Sequence, residues 1–388
     1  MFKKSLLAVA VLGTAAGFAC AADVTLYGKV DAGLVYTHTN EQVTGKADVK
    51  TDKFDMQSGV NSASRFGLKG TEDLGNGLKV GFVLENSFNS DDGTLGHDGR
   101  LFGRQATVSL MGDFGTLAMG RMGGVGSGAG TFNLFTATAD AFDGGNVDVM
   151  GLITTDRYDN MITYQTPKFA GVQGTFQYSF KGNNVEDEDA VTDKYYDPST
   201  GREGSAATDR YASVGLTGDF GALQTVLTYE YLNYASNNGK GVGNKDAENG
   251  QLISLGGNYD CGFAKTFIAA QYFKDMKDTK DILDATKAGY TKGYAVAVGT
   301  IVPVAAGDLT AAVYYNDYEA EYGTAAKAAE DGDGKYYGLT VKYEYPLSKR
   351  TSIYTGAGVA QDKFDYKNVN KEEKDTLYQA FVGMTHNF

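Results

Sequence analysis

Charged residues flank and occupy one unusual stretch of the chain, between Arg121 and Arg157. Residues 122–155 are rich in glycine, weakly acidic, and without helical or strand periodicity. A structureless connection of this length is rare in a compact domain unless it has a function. Its acidic residues are Asp140, Asp143 and Asp148. If these carboxylates faced basic residues across a narrow gap, the two sets of charges would create an electric field across the gap that selects among charged solutes.

The matching basic residues occur on segments that alternate between apolar and polar side chains. Lys29, Arg65 and Arg157 occupy the polar phase of their segments, whereas Arg121 shares its phase with the apolar residues two and four positions before it. A lysine or arginine facing lipid would cost roughly 2–4 kcal/mol at the bilayer midplane, so the polar phase is expected to face water. The alternative is that these charges are ordinary lumen and loop residues without a particular role.

The elements that must position these charges are predicted to be strands. The chain contains 52 Gly, 26 Tyr and 21 Phe but only four Pro, which favours many strands and turns over helices. Beyond the first 22 residues there is no run of about 18 apolar residues, so a helical membrane protein is not expected. The nearest candidate, residues 293–307, is too short and contains Pro303.

The amino terminus is typical of a secretory signal peptide. Residues 1–22 begin with lysines, continue with an apolar run and end with small residues. Cleavage after Ala21 or after Ala22 fits the small-residue rule equally well. We therefore expect a cleaved leader at residues 1–22 and one mature domain at residues 23–388.

Cysteine usage and charge exclude two classes of protein. Cys20 would permit lipidation, but Gly17 stands where that signal usually has leucine, so the lipoprotein alternative is disfavoured. The exported chain keeps a single cysteine, Cys261, which excludes a disulfide scaffold. Without the two leader lysines, 33 basic residues oppose 48 acidic ones, a net charge of −15 that argues against a nucleic-acid partner.

Strict alternation identifies the strands. In residues 172–180, Val172, Phe176 and Tyr178 oppose Gln173 and Gln177, the pattern of a strand between an apolar and a wet environment. Most candidates approach the roughly 9–11 residues that a tilted strand needs to cross a bilayer. Sixteen candidate strands follow from this pattern: about 24–36, 60–72, 78–88, 103–112, 115–121, 156–166, 171–181, 209–218, 221–233, 251–260, 262–274, 293–303, 307–318, 335–346, 350–361 and 376–388.

The connections alternate between short and long, which predicts an antiparallel barrel with tight turns on one rim and long loops on the other. All four prolines fall in these connections, as expected for a residue that cannot donate to a strand ladder. The long connections are 37–59, 89–102, 122–155, 182–208, 234–250, 275–292, 319–334 and 362–375.

Closure follows from the solvent that surrounds such strands. Hydrocarbon offers no partner to a free backbone N–H or C=O group, so a sheet crosses a bilayer only as a closed barrel. The prediction is an all-β, 16-stranded antiparallel transmembrane β-barrel. A ring of this size leaves an aqueous channel unless a segment folds into it. The third long connection, 122–155, is the candidate for an inward-folded loop that narrows the pore.

Several stretches resemble the Gram-negative general diffusion porins, most closely the type found in Neisseria and other β-proteobacteria. They are DVTLYGKVDAGL, SRFGLKGTEDLGNGLKVGFVLE, GDFGTLAMGR, DRYDNMITYQTPKFAGVQ and the final FVGMTHNF. The resemblance covers essentially the whole mature chain. It implies an outer-membrane channel for passive diffusion of ions and small hydrophilic solutes, with long loops extracellular and short turns periplasmic.

The same resemblance implies partners and site residues. It implies a homotrimer surrounded by outer-membrane lipid and lipopolysaccharide, with Phe388 as a signal to the barrel-assembly machinery. The basic wall of the pore falls on Lys29, Arg65, Arg121 and Arg157. On the acidic side, DAFDGG at 140–145 resembles a diverged form of the family's Pro-Glu-Phe-Gly-Gly run. Because that proline and glutamate are absent, it stays open which loop aspartate lines the constriction.

Three other functions are considered. An enzyme in a barrel would need a clustered base and nucleophile, but only three histidines occur and none is beside a marked triad. A substrate-specific channel would show a track of lumen aromatics or a dense ladder of one charge, and neither stands out. A surface display or adhesion barrel would lack an open lumen. No strong metal motif is found, so no metal or other cofactor is expected, and ion preference stays open.

Overall fold

A computed structural model describes residues 24–128, 130–143, 148–181, 209–234, 249–277, 290–321 and 331–388. Within these ranges the chain forms 17 strand segments and a five-residue helix, α1 (Phe135–Ala139). The strands are β1 (Thr25–Val43), β2 (Val49–Ser58), β3 (Arg65–Gly75), β4 (Leu78–Ser87), β5 (Gln105–Gly112), β6 (Gly115–Gly123), β7 (Arg157–Gln165), β8 (Val172–Lys181), β9 (Arg210–Phe220), β10 (Leu223–Asn233), β11 (Gly250–Asp260), β12 (Lys265–Lys277), β13 (Tyr290–Val304), β14 (Gly307–Glu321), β15 (Gly332–Pro346), β16 (Thr351–Tyr366) and β17 (Glu372–Asn387). The leader predicted at residues 1–22 lies outside the described residues.

The strands close into one antiparallel ring. From β3 onward each strand pairs with the next along the chain, and β17 returns to pair with β1 from Lys29↔Asn387 to Val43↔Glu373. β2 and β3 both pair with β1, at Ala32–Glu41 and at Thr25–Lys29. Because these two segments lie end to end beside one strand, 17 segments form a closed 16-stranded barrel, and the predicted fold class is confirmed.

Side chains alternate in environment along each strand. In β15, Tyr336 and Thr340 are buried, whereas Tyr337 and Leu339 are exposed. Buried positions on other strands combine polar residues with alanine, tyrosine and other apolar residues, whereas many large apolar side chains are exposed. This arrangement places the apolar band on the outside of the ring, where lipid would be, and the polar set inside. In the part of the chain described, no helix is long and apolar enough to span a membrane.

Two connections predicted as long loops are wrong in extent. β1 and β2 continue as a hairpin through most of residues 37–59, with a short turn at 44–48. β16 and β17 likewise extend into 362–375 and leave a turn at 367–371. In these extensions both faces of the sheet carry polar side chains. The alternation of apolar and polar residues therefore fades, although the backbone hydrogen bonds between the strands continue. The predicted second strand, 60–72, begins later, because residues 59–64 interrupt the ladder between β2 and β3.

Candidate functional site

Residues 124–156, here called the long segment, connect β6 to β7 and contact buried side chains on several distant strands. Asn258 of β11 donates from Nδ2 to the Thr138 carbonyl oxygen (2.7 Å). Gln271 of β12 holds both backbone groups of Ile153, accepting from its N–H at 2.8 Å and donating to its carbonyl at 2.7 Å. Asn258 and Gln271 are both buried in the inward phase. Apolar residues of the segment, among them Phe135, are also buried.

One carboxylate of β10 joins the two ends of the long segment. Oε2 of Glu230, a fully buried residue, accepts hydrogen bonds from Tyr211 Oη and Thr155 Oγ1, both at 2.6 Å. Tyr211 Oη in turn accepts from the Val125 N–H at 3.2 Å. The segment passes so close that a Cβ on Gly126 would lie 2.2 Å from Glu230 Oε1. The start and the end of the segment are thus held by the same group.

A cavity of about 840 Å³ lies between the long segment and the wall formed by the first strands. Ser127, Gly128, Thr131 and Asn133 contribute the segment's polar surface. The ionisable residues that line the cavity are Arg65, Lys69, Glu85, His97, Arg104, Asp143, Asp156 and Arg157.

Two of the predicted basic residues form a cross-strand pair. Lys29 of β1 is directly opposite Arg65 of β3. Both donate to the hydroxyl oxygen of Ser62, Lys29 from Nζ at 3.1 Å and Arg65 from Nη2 at 2.7 Å. Arg65 and Ser62 line the cavity. The structure therefore brings Lys29 and Arg65 together at the wall.

The other two predicted basic residues differ in environment. Arg157 lines the cavity. Arg121 is only 9% exposed and donates from Nη1 to Asp159 Oδ1 (2.8 Å) and from Nε to the Gly103 carbonyl (2.8 Å). The ladder slips between Gly120 and Met122, so strict alternation breaks at Arg121. This bulge explains how a residue in the apolar phase of β6 is nevertheless buried and ion-paired.

The three predicted aspartates have different environments. Asp140 is buried and accepts a hydrogen bond from Tyr314 Oη of β14 (2.9 Å). Asp148 is exposed and accepts from Gln379 Nε2 of β17 (2.7 Å). Asp143 lines the cavity. Of the three, Asp143 is therefore the one that borders this cavity.

The environment of Asp143 changes its titration. Its side chain reaches solvent, but the concave protein surface around it displaces much of the carboxyl group's water. This desolvation, and then the nearby Asp140, raise the pKa of Asp143 to about 6, while Arg65 and Lys29 act in the opposite direction. Asp143 consequently changes charge near neutral pH.

Comparison with known proteins now identifies the family. The family model for Gram-negative porins matches residues 8–365. The chain belongs to this family. An outer membrane porin protein of Bordetella pertussis is 37% identical to the porin over 420 residues, covering 100% of both chains. Outer membrane porin protein 32 of Delftia acidovorans is 30% identical over 367 residues, covering 93% of the porin and 90% of the relative.

Solved structures agree with this assignment. An anion-selective porin from Comamonas acidovorans matches with a TM-score of 0.63 and 25% identity, covering 95% of the porin and 100% of that chain. The porin is therefore an outer-membrane protein whose barrel forms a channel for passive diffusion.

Sequence reasoning missed several charged residues of the porin's wall. Arg104 is 4% exposed and pairs with Glu85 (Nε to Oε1, 2.7 Å). Arg100 joins Arg121 on Asp159, at 2.9 Å. Glu85 was recognisable from its polar phase in residues 78–88. Arg100 lies in the long connection 89–102, where alternation gives no signal, and Arg104 shares its phase with Ala106 and Val108 in the predicted strand 103–112.

A histidine of the same connection also lies on the cavity. His97 lines it and has a positive φ of 52°. Burial, and then Arg157, Arg104 and Arg121, lower the pKa of His97 to about 4. His97 is consequently a neutral polar group of the porin's cavity at neutral pH, and it adds no charge there.

The carboxyl terminus of the porin completes the ring. Phe388 donates from its N–H to the Gly28 carbonyl (3.0 Å), and the Gly28 N–H donates to the Phe388 carbonyl (3.1 Å). The aromatic ring covers Gly28, where a Cβ would lie 2.3 Å from Phe388 Cζ. Phe388 thus fixes the seam between the last and first strands; its role as an assembly signal remains a prediction.

A cluster of three acidic residues between β1 and β17 contains the carboxylate ligands that a cation would need. Carboxylate oxygens of Glu41, Glu373 and Asp375 lie within 4.8 Å of one another. Glu373 already accepts from Tyr366 Oη (2.5 Å) and pairs with Lys371 (3.4 Å). These contacts explain how its charge is tolerated, so we assign no metal to the cluster.

Proposed function

We propose that the long segment crosses the lumen of the porin and narrows it, so that solutes pass between this segment and the wall formed by β1, β3, β4, β5 and β7. The support is the distribution of contacts. The segment touches the inner side of the strands from β9 to β17, through residues that include Tyr211, Glu230, Asn258, Gln271, Tyr314 and Gln379. The cavity is bounded on its other side by residues of the early strands, among them Tyr27, Arg65 and Arg104.

The path has a modest preference for small hydrophilic anions. The observation that carries this proposal is the wall formed by Arg65 and Arg157, which line the cavity, and by Lys29, which is directly opposite Arg65. On the segment their charge is opposed by Asp156 and by Asp143, a carboxyl group with a raised pKa. Arg104 and Arg121 contribute less, because Glu85 and Asp159 balance them. The anion-selective porin of Comamonas acidovorans, similar over 95% of the chain, supports the same sign.

The test is the reversal potential across a salt gradient in a planar bilayer. A unit charge about 6 Å from the ion path changes an ion's energy by roughly 0.7 kcal/mol in water. Removing the charge weakens the attraction of the anion and the repulsion of the cation by this amount each, so replacing Arg65 or Arg157 by glutamine should lower the anion-to-cation permeability ratio about tenfold at low ionic strength. The matched control is Lys168→Gln in a short turn, where Lys168 pairs with Asp219 (2.9 Å) away from the cavity. Equal reversal potentials for Arg65→Gln, Arg157→Gln and the control would refute the proposal.

We further propose that the porin works as a channel and not as an enzyme, and as a homotrimer in lipid and lipopolysaccharide. In this arrangement the long connections face the outside and the short turns the periplasm, and Phe388 presents the chain to the assembly machinery. The sequence resemblance and the exposed apolar exterior of the barrel support this assembly. Trimerisation is tested by gel migration in mild detergent before and after heating; migration as a monomer under all conditions would contradict it.

A further inference from the structure

The interruption between β2 and β3 enters the barrel. Residues 59–64 leave the ladder at Gly59, whose φ of +70° is a conformation that favours glycine. Val60 follows and is only 4% exposed, in the buried cluster that also contains Val35 and Tyr354. Because Val60 is packed inside, the next residues are carried towards the cavity, where Ser62 and Ala63 lie.

A buried aspartate fixes this short inward turn. Asp31 of β1 is fully buried, and its carboxylate accepts from Tyr354 Oη of β16 (2.8 Å), from the Thr385 hydroxyl of β17 and from the Asn61 N–H (3.3 Å). Its carbonyl oxygen accepts from the Gly59 N–H (3.0 Å). Three strands thus hold the turn that presents Ser62.

Ser62 lies between two like charges. Lys29 and Arg65 are opposite one another on neighbouring strands, and like charges in that position repel. The Ser62 oxygen accepts from both, at 3.1 and 2.7 Å. A hydroxyl oxygen has two lone pairs, so these two bonds use its acceptor capacity. The hydroxyl proton must then point away from the cations, on a side chain that borders the cavity.

We propose that Ser62 is a specificity-determining residue of the pore, because it holds Lys29 and Arg65 together and offers its own O–H to a passing oxyanion. This inference deepens the proposed function and rests on it. Two charge-assisted bonds accepted by one oxygen polarise its O–H group and strengthen it as a donor. The favoured solutes are small carboxylates and inorganic oxyanions, which accept hydrogen bonds more strongly than chloride does.

The test compares Ser62→Ala with Ser62→Thr, which keeps the hydroxyl. The control is Ser109→Ala on β5, where the Ser109 hydroxyl donates to the Gly81 carbonyl (3.4 Å). Reversal potentials are measured in gradients of potassium chloride and of potassium acetate. Without the Ser62 hydroxyl, the charged groups of Lys29 and Arg65 should move apart, and the positive electrostatic potential along the solute path should weaken. Ser62→Ala should therefore lower the anion-to-cation permeability ratio about twofold. It should also lower the acetate-to-chloride ratio, and Ser62→Thr should restore both.

The possible outcomes separate the two proposals. If Arg65→Gln shifts the reversal potential while Ser62→Ala matches wild type in both salts, the role of Ser62 is refuted and the proposed constriction stands. If Arg65→Gln also matches wild type, the proposed function fails, and the role of Ser62 fails with it. Ser62→Gly, measured in parallel, removes the hydroxyl without adding a methyl group and provides the same comparison if Ser62→Ala does not fold.

Discussion

At the residue scale, neighbouring arginines of the wall have different tasks. Arg104 is held by Glu85 and Arg121 by Asp159, both in buried or nearly buried ion pairs. Arg65 instead donates to a neutral hydroxyl, so its charge is not balanced by that contact. In the proposed function, the first two stabilise the wall and Arg65 acts on the solute. Strand phase predicted Arg65 at the pore and family resemblance predicted Arg121 there. Neither indicated that Arg121 is ion-paired, because its partner Asp159 lies on another strand.

Asp143 makes the selectivity dependent on pH. Its pKa of about 6 is above the ordinary value for aspartate, so the carboxylate is ionised at neutral pH and becomes neutral as the pH falls through that value. Between about pH 7.5 and about pH 5 the cavity loses one negative charge, and the anion preference should rise. Asp143→Asn should show the higher, low-pH preference of the wild type at both pH values. Asp148→Asn, on the exposed part of the segment, should keep the wild-type dependence; an identical pH response in Asp143→Asn would contradict this assignment.

The Arg104 ion pair should affect stability more than Arg65 does. Breaking a buried pair by removing one partner costs about 3–5 kcal/mol, because the other charge stays buried and uncompensated. Arg104→Gln should therefore unfold at a lower temperature than Arg65→Gln in detergent, as measured by loss of the folded band on a gel. Glu85→Gln combined with Arg104→Gln should recover part of the loss. Equal unfolding temperatures for the two single variants would show that the pair contributes little.

At the scale of elements, the long segment was predictable as a feature but not in its contacts. Its length and composition singled out residues 122–155, because no ordinary connection needs so many glycines. Its path depends on single polar residues of distant strands, such as Glu230 and Gln271, which in the sequence look like any other lumen residue. The same limit applies to Arg121, because the bulge at Gly120 arises from pairing with β7 and has no local signature.

Glu230 should control how firmly the long segment is held. Glu230→Ala leaves the hydroxyls of Tyr211 and Thr155 without their acceptor, and each unsatisfied buried group costs about 1–3 kcal/mol. We expect a folded barrel with noisier single-channel currents and altered conductance, because both ends of the segment are released. Gly126→Ala should act similarly, since its Cβ would meet Glu230. Glu230→Gln keeps one acceptor and should be closer to wild type; quiet, unchanged currents in Glu230→Ala would refute the role of this contact.

At the scale of the whole molecule, the fold follows from the same alternation of side-chain environment on every strand of the barrel. Exposed apolar side chains alternate with buried side chains, many of them polar, and the alternation of apolar and polar residues identified the sixteen barrel positions from the sequence. Strand ends were predicted less well at β1, β2, β16 and β17, where the hairpins continue beyond the alternating part. Hydrocarbon imposes the alternation, so the signal ends where both faces of a strand meet water, although the backbone pairing continues.

The seam of the ring gives a prediction for the complete molecule. Phe388 closes β17 onto β1 through two backbone hydrogen bonds to Gly28, and its ring lies over that glycine. Phe388→Ala keeps the backbone bonds but removes the aromatic side chain. We expect less folded porin in the outer membrane of cells, while protein refolded in detergent retains wild-type conductance. A normal yield in cells would contradict the role of Phe388 as an assembly signal.

The central claim is that the long segment lies in the conducting path, and chemical modification during conduction tests it most directly. Asp143→Cys is prepared with Cys261→Ser, because Cys261 is an exposed thiol. A bulky, negatively charged thiol reagent is added while single-channel current is recorded in a planar bilayer. We predict that modification at position 143 reduces the current stepwise, whereas modification of Cys261 in the wild-type porin leaves it unchanged. Full modification at position 143, verified by mass, with undiminished current would contradict the account.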